Sequence, residues 1–357
     1  MDLSRFTEHV GEGSMEETLD TLGFAVVDGA FGGDFCRAVR EEIDYLEQQN
    51  LLNSGKNILT NAQGEGVTMV RPNIFERDLV LESKVTDDNV LQLLPTLNKI
   101  YWEQNLEFTA ILGRGYNRLQ LKCIDTIKVQ KNTGQGGCFP MHFDTSAITS
   151  KRDLTAVIYL NAEWTEASGG HLRVYPFPYE RVDVAPLNDR MVLFSSHQLA
   201  HRVMPSAHTR YVLSLWFRRE GEPVSFPRMP LPATSLPFED QQILAFLYRP
   251  TNRRVLAKLL YASEWADSVR EAFGVCTIAI LSLQAVKGEG KGDKRGRELK
   301  RRKDRKIESE HFYPPMNVSY ACKCMYLCMY GWMYAWMDGW MFIRSCLQYL
   351  SILFICI

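Results

Sequence analysis

The sequence predicts a mainly β fold with flanking α-helices. Between residues 117 and 218, short apolar and β-branched stretches follow one another, and clusters rich in glycine, asparagine and serine separate them. Many short strands at such spacing are typical of an all-β sandwich or a double-sheet jelly roll. The predicted strands are residues 117–130, 139–144, 155–161, 171–175, 181–184, 191–195 and 210–218.

Helical patterns precede this β region. A short β-branched strand over 24–28 is followed by a helix over 35–49, in which apolar residues recur at helical spacing. The polar, glycine-rich stretch 53–69 predicts a loop. A second helix is predicted over 87–104, and Pro95 predicts a kink or a break in it.

Composition divides the chain into four segments. Residues 1–116 are expected to pack on the jelly-roll core of residues 117–220, and residues 221–275 form a C-terminal helical segment. Residues 276–357 hold a basic tract and an apolar tail of low complexity, which we expect to be disordered. The C-terminal helices are predicted over 238–249 and 252–273.

Charge and cysteine usage bound the class of protein. A formal net charge of −1 gives no overall attraction to nucleic acid or membranes. Nine cysteines without regular spacing predict free thiols, and the first residues do not resemble a signal peptide, so a cytoplasmic or nuclear location is expected. The basic stretch 294–306 leaves nuclear import, nucleic-acid contact or a solvated linker open. A C-terminal tail anchor also stays open, although Arg344 makes it costly.

Two histidines and one aspartate have the chemistry of an iron site. His142 and Asp144 are two positions apart, so on a strand both side chains point to one face. A second histidine from a distant strand, His201 or its neighbour His197, completes a set that leaves three positions open. Such a set is typical of non-heme Fe(II) oxygenases. Arg210 follows on a predicted strand, where its guanidinium suits a dicarboxylic co-substrate.

The order of these motifs resembles the Fe(II)/2-oxoglutarate-dependent dioxygenase superfamily, and within it the prolyl 4-hydroxylase-like branch. The resemblance covers roughly residues 118–219 and is weaker over 20–50. It rests on HFD at 142–144, AVIYLN at 156–161, GGHLRV at 169–174, RMVLF at 190–194, HRVMP at 201–205 and RYVLSLWF at 210–217.

This resemblance implies a double-stranded β-helix, the cupin-like jelly roll, and assigns roles to five residues. His142, Asp144 and His201 would bind Fe(II). Arg210 would pair with the far carboxylate of 2-oxoglutarate, and Tyr159 would contact the same co-substrate. The chain departs from the family at Gln130, where a tyrosine is expected, and at Val212, where some branches carry a serine.

The implied reaction decarboxylates 2-oxoglutarate to succinate and CO2 with O2 and hydroxylates a C–H bond, with ascorbate as the expected reductant. The implied substrate is a protein or peptide, with proline as the target. The alternatives are a small molecule, a nucleic-acid base, or a jelly roll that binds without catalysis. The intact triad and Arg210 argue against the last alternative.

Several neighbouring residues receive simpler interpretations. His197, His171 and His208 are interpreted as loop or strand-surface histidines once the family order favours His201. Trp216 and Phe217 are expected to be core aromatics. The loop 145–153 and the segment 53–75, which includes Arg71, are expected to border the substrate pocket.

Overall fold

The computed structural model describes residues 1–11, 14–60, 66–80, 87–116, 118–145, 150–224 and 238–274. The chain forms two compact units. The first comprises Met1–Asn57, Thr68–Lys258 and Ser263–Val275, and the second comprises Ile58–Val67, Leu259–Ala262 and Cys276–Ile357. The described ranges end at residue 274, so the predicted basic tract and apolar tail of residues 276–357 lie outside them. No helix in the described ranges is long and apolar enough to cross a membrane.

The described strands form two sheets. They are β1 (Phe24–Val27), β2 (Asn53–Thr60), β3 (Gly66–Val80), β4 (Leu121–Asn132), β5 (Gly137–His142), β6 (Arg152–Tyr159), β7 (Leu172–Tyr175), β8 (Val182–Val184), β9 (Met191–Ser195), β10 (Ala200–Ser206) and β11 (Arg210–Arg219). One sheet has seven strands in the order β1-β9-β6-β11-β4-β3-β2, and the other has the order β5-β10-β7-β8. The predicted jelly roll with flanking helices is confirmed.

The helices lie before and after the strands of the core. They are α1 (Leu3–Gly11), α2 (Ser14–Leu22), α3 (Gly33–Gln48), α4 (Asp87–Leu91), α5 (Pro95–Lys99), α6 (Asn105–Gly115), α7 (Phe238–Leu247), α8 (Pro250–Leu260) and α9 (Ala262–Phe273). The break predicted at Pro95 is confirmed. Pro95 begins α5, where a residue without an N–H is tolerated, and a π-helical turn, Ile100–Gln104, continues into α6.

The loop predicted over 53–69 is wrong for residues 53–60 and 66–69, because β2 and the start of β3 lie there, and residues 61–65 lie outside the described residues. These strands are at the end of the larger sheet, so they need no continuous apolar pattern. Gly55 has a packing role rather than a turn role. A Cβ at this position would lie 2.7 Å from Nη2 of Arg71, so a larger residue would require that side chain to move.

The larger sheet separates two hydrophobic clusters. On β11, Leu213, Leu215 and Phe217 belong to the cluster that also holds the buried residues of α1, α3 and α6. Val212 points to the opposite face, where residues of both sheets, including Tyr159 and Val174, form the second cluster. This alternation follows from the two-residue period of a strand. The face toward the smaller sheet is therefore where Arg210 emerges, two residues before Val212.

A substitution of Phe217 tests how much the cluster that faces the helices contributes to stability. It is fully buried, and its ring centroid lies 5.4 Å from that of Phe108 on α6. We expect Phe217→Ala to lower the free energy of unfolding by about 3–5 kcal/mol, because it leaves a cavity in a packed core. Denaturant unfolding measures this change. The control is Trp102→Ala, whose residue is 59% exposed, with an expected loss below about 1 kcal/mol. Equal losses in both variants would contradict the assignment.

Candidate metal centre and active site

Strand pairing brings the two histidines together. In the smaller sheet, β5 and β10 are antiparallel neighbours, and His142 lies directly opposite His201. Side chains at opposed positions project to the same face of a sheet. The two imidazole centroids are 4.3 Å apart as a result.

Asp144 completes the cluster. It follows the end of β5, and its Oδ1 lies 3.5 Å from Nε2 of His142 and 3.5 Å from Nε2 of His201. One ligand atom from each of the three residues lies within 4.8 Å of the others. Three donors converging on one point from one side match the arrangement in which Fe(II) keeps three open positions.

Hydrogen bonds fix which imidazole nitrogen faces the cluster. Nδ1 of His142 lies 2.9 Å from the carbonyl oxygen of Pro140, and Nδ1 of His201 lies 3.2 Å from that of Leu199. A carbonyl only accepts, so each Nδ1 carries the proton in the neutral ring. Each Nε2 then keeps its lone pair for a metal.

Two donors orient the carboxylate of Asp144. The hydroxyl of Thr155 donates to Oδ2 at 2.6 Å, and the indole N–H of Trp216 donates to the same oxygen at 3.1 Å. Thr155 is itself 2.8 Å from the hydroxyl of Ser196. With Oδ2 occupied in this way, Oδ1 is the oxygen directed at the two histidines.

Electrostatics favour the metal-binding states of His142 and Asp144. Burial, together with the neighbouring His201, lowers the pKa of His142 below its ordinary value. Burial alone would raise the pKa of Asp144, but His201 and His142 outweigh it and hold that pKa well below the usual range. The carboxylate is therefore ionised, and a metal competes with fewer protons.

A buried cation lies on the face of β11 from which Trp216 contacts Asp144. Arg210 is 3% exposed, and its Cζ lies 5.0 Å from the ring centroid of Tyr159. No carboxylate in the described ranges pairs with Arg210. Its Nε also lacks a hydrogen-bond partner there. Burial lowers the pKa of Arg210 and raises that of Tyr159 to about 12. A buried, uncompensated charge is costly, so this pocket fits an anion.

Gly170 leaves room for the Arg210 side chain. A Cβ at position 170 would lie 2.9 Å from Cδ of Arg210 and 2.9 Å from Oγ of Ser206. Its φ of +72° is also a conformation that favours glycine. The GG pair at 169–170 therefore shapes the pocket as well as forming a turn.

His171, His197 and His208 lie outside the metal cluster. His197 lies in the turn before β10, as a loop histidine would, but it is buried and not at the surface. Its Nδ1 lies 3.4 Å from Oδ1 of Asp153, and burial lowers its pKa to about 3. His171 lies 3.2 Å from Glu166, and His208 is exposed.

Gln130, where the chain departs from the family pattern, belongs to a network of hydrogen bonds and ion pairs outside the metal cluster. Gln130 lies opposite Val212, which lies opposite Tyr159, so the three side chains share one face of the sheet. Its amide donates to Glu76 at 3.0 Å, and Glu76 pairs with Arg71 at 2.6 Å. Arg71 stacks 4.0 Å over the Phe139 ring, whose centroid is 6.3 Å from that of His142.

The sequence did not predict the roles of two residues that contact Asp144. Trp216 was expected to be a core aromatic, but its indole donates to Asp144, whereas Phe217 lies in the core as expected. Thr155 has the same role on β6. The sequence contains one sign of this role for Thr155. Thr155 and Tyr159 are four residues apart on one strand, so their side chains share a face.

Comparison with known proteins agrees with this geometry. Residues 127–218, which include the triad and Arg210, match the sequence model of the 2OG-Fe(II) oxygenase superfamily. This segment therefore resembles a 2OG-Fe(II) oxygenase domain. This superfamily consists of oxidoreductases.

The relatives of this oxygenase domain include prolyl hydroxylases. The chain is 24% identical over 226 residues to a hypoxia-inducible factor prolyl hydroxylase of Caenorhabditis elegans, covering 57% of the chain and 28% of the relative. It is 36% identical over 87 residues to prolyl hydroxylase EGLN3 of Mus musculus, covering 24% of the chain and 36% of the relative. The chain thus spans about a third of the length of these curated relatives.

A solved structure shows similarity over most of the chain. It belongs to prolyl 4-hydroxylases from Phytophthora capsici, is 26% identical, and aligns with a TM-score of 0.60. The alignment covers 85% of this chain and 91% of that one. The similarity therefore extends well beyond residues 127–218.

Thr155 tests how the carboxylate is oriented. We expect Thr155→Val to weaken Co(II) or Fe(II) binding about 10- to 100-fold, because Asp144 loses the donor that directs Oδ1 at the histidines. Metal titration measures this effect. The matched control is Thr109→Val, because the buried Thr109 hydroxyl has no hydrogen-bond partner in the described part of the chain. Unchanged affinity in Thr155→Val would show that Asp144 needs no such support.

Proposed function

We propose that the chain is an Fe(II)- and 2-oxoglutarate-dependent hydroxylase that acts on a C–H bond of a protein or peptide, with a prolyl residue as the target. The observation that carries the proposal is Arg210. A buried guanidinium without a carboxylate partner in the described structure shares the face of β11 that contacts Asp144, a member of the cluster of two histidines and one aspartate. A metal-chelating dicarboxylate fits both features with one molecule.

The residues present fit both groups. His142, His201 and Asp144 would hold the metal through two nitrogens and one oxygen, because the other nitrogen of each ring and the other oxygen of the carboxylate bond to neighbouring groups. Bound Fe(II) would supply the redox chemistry that couples O2 to oxidation of 2-oxoglutarate and of the substrate.

Arg210 and Tyr159 would orient the co-substrate. The guanidinium would form a charge-assisted pair with the carboxylate remote from the metal, and the Tyr159 hydroxyl would donate to the same group. Because Tyr159 keeps its proton at neutral pH, it acts as a donor. The apolar walls of the cluster that includes Val157, Phe194 and Val212 would exclude water from this end of the pocket.

The peptide substrate is inferred from the relatives, two of which are named as prolyl hydroxylases. The site also keeps one side open, because the side chain of His142 remains 31% exposed. Arg71 and Phe139, which lie near that histidine, would border the substrate.

Two further expectations belong to the proposal. Ascorbate is the expected reductant by resemblance to the family. A cytoplasmic or nuclear location agrees with the free thiols of Cys36 and Cys138.

Turnover of 2-oxoglutarate tests the reaction class. The purified chain with Fe(II), O2 and a panel of proline-containing peptides should form succinate and add one oxygen atom to a peptide, as detected by mass spectrometry. We expect Arg210→Met to weaken 2-oxoglutarate binding about 10- to 150-fold, because a charged hydrogen-bonded pair is lost. Arg37→Met is the control, since the Arg37 side chain is 60% exposed. Metal binding without 2-oxoglutarate binding in the wild type would contradict the proposal.

Gly170 offers a test of the space around Arg210. We expect Gly170→Ala to raise the KM for 2-oxoglutarate about tenfold, because the new methyl group must displace the arginine that binds it. Gly136→Ala is the matched control. Position 136 also has a positive φ, +82°, but a Cβ there meets no atom within 4 Å. Both variants should lose stability, and only Gly170→Ala should change KM. Equal KM values would place Arg210 outside the co-substrate pocket.

A further inference from the structure

Arg254, on α8, contacts both segments that supply the metal-binding cluster. Its Nη1 donates to the carbonyl oxygen of Thr145 at 2.5 Å and also to the carbonyl oxygen of His197. Thr145 directly follows Asp144, and His197 lies four residues before His201. One guanidinium nitrogen therefore joins the backbone after one ligand to the backbone before another.

The same two segments also bond to each other. The backbone N–H of Thr145 donates to the carbonyl oxygen of Ser196 at 3.0 Å. Arg254 adds its bonds immediately beside this single backbone contact. Without Arg254, only one direct hydrogen bond among those described would join the chain next to Asp144 to the turn before β10.

Arg254 also holds the residue between the first two ligands. Its Cζ lies 4.2 Å from the ring centroid of Phe143, and the ring of Trp265 on α9 lies 6.1 Å from the same ring. Adjacent residues of an extended segment point to opposite sides. Anchoring Phe143 on the outside therefore sets the rotation at which His142 and Asp144 face the cluster.

The positive charge of Arg254 interacts with these two carbonyl oxygens and with the Phe143 ring. Burial lowers its pKa, and no carboxylate of the described structure forms an ion pair with it. Its cation is balanced by two carbonyl dipoles and one aromatic face. Hydrogen bonds from a charged donor are stronger than neutral ones, so this arrangement is rigid as well as specific.

We propose that Arg254 is a positioning residue of the metal centre: it fixes the distance between Asp144 and His201 and thereby sets the affinity for Fe(II). The inference rests on the proposed function, since it takes the triad as the metal site. It extends the machinery to α8, which lies outside the segment 127–218 that matches the superfamily.

Metal titration of the full chain tests this role. Arg254→Met keeps an unbranched side chain against Phe143 but cannot donate, and Arg254→Lys keeps a cation that can reach a carbonyl. Co(II) is the spectroscopic probe, and competition with a chelator gives the Fe(II) affinity. Arg270→Met is the matched control, because Arg270 lies on α9 with a side chain that is 57% exposed.

We expect Arg254→Met to weaken metal binding about 10- to 100-fold and to change the Co(II) ligand-field spectrum, as loss of a residue that supports metal ligands does. Arg254→Lys should fall between Arg254→Met and the wild type, and Arg270→Met should match the wild type. Saturating Fe(II) should recover most of the turnover of Arg254→Met.

Wild-type affinity and spectrum in Arg254→Met would overturn the inference and leave Arg254 as a residue that only docks α8. If Arg254→Met does not fold, Arg254→Lys takes its place. A lower thermal unfolding midpoint of Arg254→Lys shows that the contacts of residue 254 are weakened. Wild-type metal affinity and spectrum in that destabilised variant would overturn the inference. Failure of the wild type itself to bind Fe(II) would instead contradict the proposed function.

Discussion

The site depends on one register, the antiparallel pairing of β5 with β10 that sets His142 opposite His201. Because side chains alternate along a strand, a shift of one residue would turn one imidazole to the other face of the sheet. The other contacts of the site follow from this register. Asp144 reaches the pair only because it lies two residues beyond His142. Thr155 and Trp216, on the facing sheet, then hold the second oxygen of that carboxylate.

Two charges of the pocket are left without a partner of opposite sign. Asp144 supplies one negative charge between two imidazoles, and Arg210 supplies one buried positive charge with no acidic partner among the described residues. Both are costly in a folded protein unless a ligand compensates them. Under the proposed function, a divalent cation would compensate the first charge and a dicarboxylate the second. Gly170 serves this arrangement by giving the Arg210 side chain its space.

Sequence patterns predicted the β core and the placement of the site residues well, because strands buried between helices and a second sheet carry dense apolar signals. They failed for β2 and β3, whose polar residues at the end of the larger sheet read as a loop. They also missed the roles of Thr155 and Arg254. Thr155 becomes a carboxylate donor only when β6 faces β5, and Arg254 reaches Thr145 and His197 from a helix more than fifty residues away in sequence. Such contacts come from tertiary packing and leave no local pattern.

The most direct measurement is the position of iron in crystals grown without oxygen from the chain with Fe(II) and 2-oxoglutarate, located by anomalous scattering. Our account predicts one iron ion bound by Nε2 of His142, Nε2 of His201 and Oδ1 of Asp144 on one face. It also predicts 2-oxoglutarate on the open face, with its far carboxylate at Arg210. Iron bound elsewhere, or through Nδ1 of either histidine, or a co-substrate that leaves Arg210 without a partner, would contradict it.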